Sequence, residues 1–281
     1  MIGIGPADPR YPRGLLDLRA APDPLWIDGD PEHLTGRCVS IVGTRRMTPY
    51  GARVARELAG ECARAGVVVV SGLAQGVDSA AHDGALEADG RTVAVLGAGI
   101  VKYLDEAGAR RRRLVHAIRR HGALVSEFPP SAPPQVWTFA QRDATIAALG
   151  EVTVVVEAPI DSGALITAGE ARRLRRRVYA VPGPIGASTS AGSNELIASN
   201  AARALTGASM LLTELGLGTR RPEADGDDEA RLLDALAGSP ADADALARRL
   251  GLSAGEIATI VARLLIRGRI ATAADGRLAR R

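Results

Sequence analysis

Six short apolar runs dominate the first two-thirds of this chain: Cys38 to Val42, Val67 to Val70, Thr92 to Leu96, Ala123 to Val125, Val152 to Val156 and Val178 to Val181. They are rich in β-branched residues, and most lead into a turn of small residues and then a helical pattern. The apolar character is continuous rather than alternating, which predicts strands buried on both faces, paired in parallel. Helical stretches between such strands predict a doubly wound, mostly parallel α/β sheet of the extended Rossmann-like kind. No sequence repeat of fixed period stands out.

The pattern changes after this region. Gly216 to Asp228 is polar, holds Gly and Pro, and has no periodicity, so it reads as a linker. Three helical patterns follow, centred on Leu232-Leu233-Leu236, on Leu246-Leu250 and on Ile257-Ile260-Val261-Leu264-Leu265. Ser253 and Glu256 have capping-box spacing, with Leu252 and Ile257 placed as a hydrophobic staple. Arg269 to Thr272 and Ala274 to Leu278 then read as a hairpin with an Asp-Gly turn. Three helices and a wing predict a small winged helix-turn-helix. The expected organisation is an α/β domain over 1–215, a linker over 216–226 and a winged-helix domain over 227–281.

Composition excludes several function classes. The two cysteines, Cys38 and Cys62, form no C-x-x-C pair and the four histidines are scattered, against a disulfide framework or a zinc site. No segment approaches the roughly 20 apolar residues of a membrane helix, and no signal core opens the chain. A cytoplasmic protein without metal or cofactor is expected. The net charge is only +3, so a nucleic-acid role requires a local patch.

In an open parallel sheet, ligands bind beyond the carboxyl ends of the strands. The loops expected at that edge begin at Gly43, Ser71, Gly97, Ser126 and Glu157. Backbone amides at Gly43, Ser71, Gly72, Gln75, Gly76, Ser162 and Gly163 suit phosphate oxygens. Arg45, Arg46, Lys102, Arg110, Arg111, Arg112, Arg113 and Arg142 would add full positive charges. Trp137 and Phe139 are either core residues or a stacking surface for bases. A second cluster, Arg172, Arg173 and Arg175 to Arg177, closes a helix before a strand at the opposite edge and reads as a solvated helix end.

Enzyme signatures are absent or badly spaced. Gly97 and Gly99 begin a dinucleotide fingerprint, but Lys102 holds the third glycine position. No phosphate-binding loop of the ATPase type exists. Ser71, Asp78 and His82 could suggest a triad, but Asp78 and His82 are one helical turn apart, where an N-cap and its neighbour are the simpler reading. Glu127 and Glu157 fit either acid/base groups or acceptors of loop amides.

Taken together, VGTRRMTPYG (42–51), SGLAQGVDSAAHDGAL (71–86), TVAVLGAGI (92–100), SEFPP (126–130), VVVEAPIDSGALITAGEA (154–171), VPG (181–183) and GSNELI (192–197) resemble the DprA/Smf family of DNA-processing proteins. Tyr11-Pro12 and Pro24-Leu25-Trp26 resemble its lead-in, and the tail its winged helix. The resemblance implies a homodimer that binds single-stranded DNA and delivers it to the RecA recombinase during natural transformation, with no established catalysis. It implies DNA contacts at Arg45 and Lys102. Two departures stand out. Arg142-Asp143-Ala144 replaces an expected R-N-R, which predicts weaker contact there, and the Y-P-x-x-N pattern after the third strand is missing. The Arg110 to Arg113 run is expected to compensate. The chain begins close to the Tyr-Pro motif, which implies that the helical amino-terminal domain of many members is absent.

Two other functions compete. Related nucleoside-monophosphate phosphoribohydrolases use a P-G-G-x-G-T-x-x-E loop, whose Pro-Gly-Gly start is missing before Ser162-Gly163. A duplex-DNA regulator would read bases with the last helix, yet that helix offers Ala254, Gly255 and Glu256 first. Residues 227–281 carry nine basic and eight acidic residues, too balanced for a strong duplex binder.

Overall fold

The computed structural model describes residues 1–217, 224–237, 239–273 and 276–280. The chain divides into two compact units, Met1–Leu217 and Gly218–Arg281.

The first unit is built on a nine-stranded sheet. Its strands are β1 (Ile2–Ile4), β2 (Leu25–Gly29), β3 (Cys38–Val42), β4 (Val68–Ser71), β5 (Thr92–Leu96), β6 (Gly122–Ser126), β7 (Val152–Val155), β8 (Arg177–Ala180) and β9 (Arg203–Ala204). Their order is β1-β2-β6-β5-β4-β3-β7-β8-β9, and all contacts from β6 to β9 are parallel. The six runs read from sequence are therefore strands β3 to β8. The strand order reverses between β3 and β7, the position where doubly wound sheets open a crevice. The lead-in adds β1 and β2, antiparallel to one another and to β6.

Both faces of the sheet are covered, as the unbroken apolar runs require. On β3, Val39 and Ile41 join the core beneath α1 (Pro49–Arg64) and α2 (Val77–Glu87). Cys38 and Val42 face the other way, into the core that holds Ile146, Ala147 and Ala168 of α5 (Val136–Leu149) and α6 (Ala164–Arg173). A third cluster packs Leu96 and Leu124 against Ile100 of α3 (Ile100–Glu106) and Val115 and Ile118 of α4 (Ala109–His121). After α7 (Ala191–Ala198) and β9, α8 (Ala208–Glu214) returns to the α1 side through Leu211 and Leu212.

The second unit has its own core, formed by α9 (Ala224–Ala235), α10 (Ala243–Leu250), α11 (Ala254–Ile266) and the antiparallel pair β10 (Ile270–Thr272) and β11 (Leu278–Arg280). This is the winged helix read from sequence. The capping box is present: Glu256 N donates to Ser253 Oγ at 3.3 Å and Ser253 N donates to Glu256 Oε2 at 2.8 Å. Two details differ. α9 begins at Ala224, inside the stretch read as linker, because Asp-rich sequence is also ordinary in a first helical turn. The expected Asp-Gly turn includes Asp275, outside the described residues.

The separate cores lead to an expectation for truncation. A chain ending at Leu217, which keeps the Leu217 N to Leu212 O bond of 2.8 Å, should unfold in a single cooperative thermal transition with native far-ultraviolet circular dichroism. A non-cooperative melt would show that the first unit is incomplete alone.

Candidate nucleic-acid interface

The loops after β3 to β7 lie together at the carboxyl edge, as parallel pairing demands. Two of them are tied together by Asp78, a buried carboxylate at 5% exposure in the first turn of α2. Burial raises its pKa; Arg142 and the backbone amides of Ala74, Gly43 and Gly72 oppose that rise. Arg142, at 6% exposure, donates from Nη1 to Gly72 O at 2.5 Å and to Val95 O at 3.2 Å, and pairs through Nε with Asp143 Oδ1 at 3.1 Å. Gly72 is required at this point, because a Cβ there would collide with the Arg142 guanidinium.

A second carboxylate pins the β3–α1 loop. Glu157, which follows β7, accepts from Thr48 N at 2.8 Å and from Thr48 Oγ1 at 2.6 Å, while its carbonyl accepts from Thr44 N at 2.6 Å. Thr48 is the N-cap of α1, and a Cβ at Gly51 would strike the Glu157 carboxyl. A protein carboxylate thus occupies the amino end of α1, where a bound phosphate would sit in a nucleotide-binding relative.

These bonds correct part of the expected site. Arg142 is a buried support and adds no free charge. The amides of Gly43 and Gly72 serve Asp78 instead of phosphate. Ser71 is fully buried and donates to Ile41 O at 2.6 Å, and Gly76 is packed under the Thr44–Arg45 backbone. Lys102 pairs with Glu106 at 2.8 Å. Arg112 turns away from its neighbours and donates to Ala107 O at 2.7 Å. Ser162 Oγ accepts from Ala164 N at 3.3 Å, and neither it nor Gly163 lines the cavities described below. The triad reading fails as well, since His82 Nδ1 bonds Thr92 Oγ1 at 2.6 Å and burial pushes its pKa down to about 3. Glu127 bonds Gln141, at 2.9 Å, and Thr145.

What the edge does bring together is a pair of adjoining cavities. The smaller, about 280 Å³, is walled by Phe139 and Tyr103 and bordered by Arg45, Gln75, Arg111 and Pro134. Arg45 lies over the Phe139 ring at 5.9 Å and Arg111 over the Tyr103 ring at 5.7 Å, so each aromatic wall carries a cation. The larger, about 1000 Å³, is bordered by Arg45, Arg46, Gln75, Arg110, Arg111 and Arg113. These arginines are exposed, and Arg110 to Arg113 occupy the first turn of α4, against its macrodipole by a few tenths to about 1 kcal/mol per charge. Trp137 is 60% exposed and meets Phe128 edge-on at 5.7 Å.

Tyr103 has no local sequence signal beyond its place in the first turn of α3, which carries it to the cavity wall. At the opposite edge the exposed Arg173, in the last turn of α6, and Arg177, at the start of β8, pair with Glu170 and Glu214, whereas Arg176 is largely buried and bonds Asp17 and Gly14 O.

An extended doubly wound α/β unit with an arginine-bordered, aromatic-walled carboxyl edge, joined in sequence to a winged helix, defines a class of DNA-processing proteins. Residues 3–216 match the family model of DNA recombination-mediator protein A, and residues 219–276 match that of the DprA winged helix domain. The chain belongs to the DprA/Smf family. A DNA processing protein DprA from Bacillus subtilis is 37% identical over 73% of this chain and 68% of its own length. A putative DprA from Mycobacterium tuberculosis is 44% identical over 62% of this chain and 44% of its own, and a Smf protein from Synechocystis is 36% identical over 76% and 54%. The chain thus spans about half the length of the last two relatives. The crystal structure of Streptococcus pneumoniae DprA superposes with a TM-score of 0.69 at 33% identity, covering 76% of this chain and 74% of that one. Helicobacter pylori DprA, whose structure describes a single-stranded DNA binding mode, gives 0.67 at 27% identity, covering 76% and 94%.

The acid that replaces the expected asparagine leads to a test. Burial raises the Asp143 pKa from 3.8 to about 6, and nearby Asp78 adds to the rise against the pull of Arg142 and Arg45. A carboxyl raised in the folded state binds more protons than in the unfolded chain, so its contribution falls as pH climbs from about 4 through about 6. Asp143→Asn should therefore flatten the stability profile across that window and stabilise the protein by about 1–3 kcal/mol at neutral pH, read by urea denaturation. Equal profiles for the two proteins would contradict the assignment.

Proposed function

We propose that this chain binds single-stranded DNA at its carboxyl edge with little base preference, acts without catalysis, and passes the strand to the RecA recombinase during natural transformation. The observation that carries the reading is the small cavity, whose Phe139 and Tyr103 walls each carry an arginine. Base–aromatic stacking tolerates any base, and phosphates answer the arginines. A duplex keeps its bases paired and stacked and has none to offer such a cavity.

Three further observations support it. The H. pylori relative has a described single-stranded DNA binding mode. Four groups read from sequence as possible acid, base or nucleophile, Ser71, Asp78, Glu127 and Glu157, are held by structural bonds. On the winged helix, Glu256 is committed to its capping box and Arg267 to Glu229 at 2.7 Å, which disfavours base reading by α11. RecA delivery, the homodimer and a cytoplasmic setting follow from family membership and belong to the same proposal. No helix among the described residues is long and apolar enough to cross a membrane.

Fluorescence anisotropy with a labelled oligothymidylate tests the site. Phe139→Ala should weaken binding by about 1–3 kcal/mol, the usual value of one stacked base. Arg45→Glu should weaken it comparably, and Arg175→Glu with Arg177→Glu should have little effect. If the pair at the opposite edge lost the most affinity, the strand path would lie there instead.

A further inference from the structure

The larger cavity is a groove between two helices with unlike walls. On α4, Arg110, Arg113, Leu114 and Ala117 recur at helical spacing and line one side. On α2, Ser79, Asp83 and Leu86 do the same opposite them. Arg110 and Arg113 form no ion pair within 4 Å among the described residues, although Arg110 acts electrostatically on Asp83 across the groove, whereas Arg112, on another face of α4, is bonded to backbone carbonyls. The α2 wall carries Asp83, which Arg56 holds at 3.0 Å. One lip is thus cationic, the other carries the neutralised Asp83–Arg56 pair, and Met47, Leu73, Leu86 and Leu114 give the groove apolar surface. Arg45, Leu73, Gln75 and Arg111 line both this groove and the aromatic cavity, so the two are continuous.

We infer that the α2–α4 groove is a second strand-binding segment, which holds the nucleotides next to the one in the aromatic cavity with their phosphates along α4 and their bases toward α2. This deepens the single-strand reading and rests on it. Charge complementarity selects the occupant and its orientation. A polyanion meets the unpaired Arg110 and Arg113 on α4, the Asp83–Arg56 pair leaves the α2 wall without a free charge for phosphate, and the apolar surface needs unpaired bases to cover it. An acidic protein segment would satisfy the arginines but would bring no flat unpaired bases to the apolar surface between the walls.

Oligonucleotide length separates this segment from the aromatic cavity. Tetrathymidylate suffices for the cavity, whereas dodecathymidylate extends into the groove. In anisotropy titrations the full chain should bind the dodecamer more tightly than the tetramer by about tenfold or more, beyond the statistical gain from extra registers. Arg110→Glu with Arg113→Glu should leave tetramer affinity within about twofold, remove most of the dodecamer advantage and lower its salt slope by about 1.4, two phosphates' worth. Ala117→Glu, which adds an acid to the groove without changing an arginine, should act in the same direction and stands in if the double variant fails to fold. Equal losses for both lengths, or an undiminished dodecamer advantage in the folded variants, would overturn the groove and leave the cavity intact. The second result is also the one expected if the groove serves an acidic protein segment. Failure of the unaltered protein to bind either oligonucleotide would overturn both readings.

Discussion

A carboxylate as deeply buried as Asp78 is several kcal/mol unfavourable unless cations and amides surround it. Here Arg142 and the amides of Gly43, Gly72 and Ala74 do so, and each comes from a different place in the chain. Gly43 leaves β3, Gly72 and Ala74 leave β4, and Arg142 projects from α5. One buried carboxylate therefore adds a tie between α5 and the ends of β3 and β4, elements that also meet in the sheet and its packing. Arg45, Gln75 and Phe139 are presented from those same elements. Their spacing around the aromatic cavity depends on this charge cluster more than on any contact they make themselves.

Glu157 does for the amino end of α1 what Asp78 does for the neighbouring loops. Together the two carboxylates fill positions that nucleotide-binding sheets reserve for phosphate. The fold keeps the geometry of a nucleotide crevice but satisfies it from within. What remains at the edge is a set of exposed arginine side chains beside Phe139 and the half-buried Tyr103, which suit a polymer whose phosphates recur and whose bases can leave the stack. Arginines on flexible stems and rings with open faces do not demand one sequence.

The parallel core was legible because strands buried on both faces must be apolar throughout, and the six β-branched runs have no other economical reading. The capping box at Ser253 was legible because its chemistry is local. β1, β2 and β9 were not: Ile2–Ile4 and Arg203–Ala204 are too short to show a period, and the lead-in places Leu25–Gly29 antiparallel on β6. At the edge, sequence located the loops but not the commitments of their side chains. Arg142, near a helix start, looks solvent-facing until Gly72 O and Val95 O are found against it. Ser71, Lys102 and Arg112 likewise lose their expected freedom to partners that no local pattern names, whereas Arg45, Arg46, Arg110, Arg111 and Arg113 keep theirs.

On the proposed reading, arginines and aromatic faces at this edge hold an unpaired strand. It is tested most directly by titrating one labelled oligothymidylate and its duplex of equal length across a range of salt concentrations. Tighter binding to the single strand is expected at every salt concentration, with a log–log slope of about −0.7 per phosphate held and residual affinity at high salt from stacking. Equal or tighter binding to the duplex, or single-strand affinity that vanishes as salt screens the charges, would contradict it.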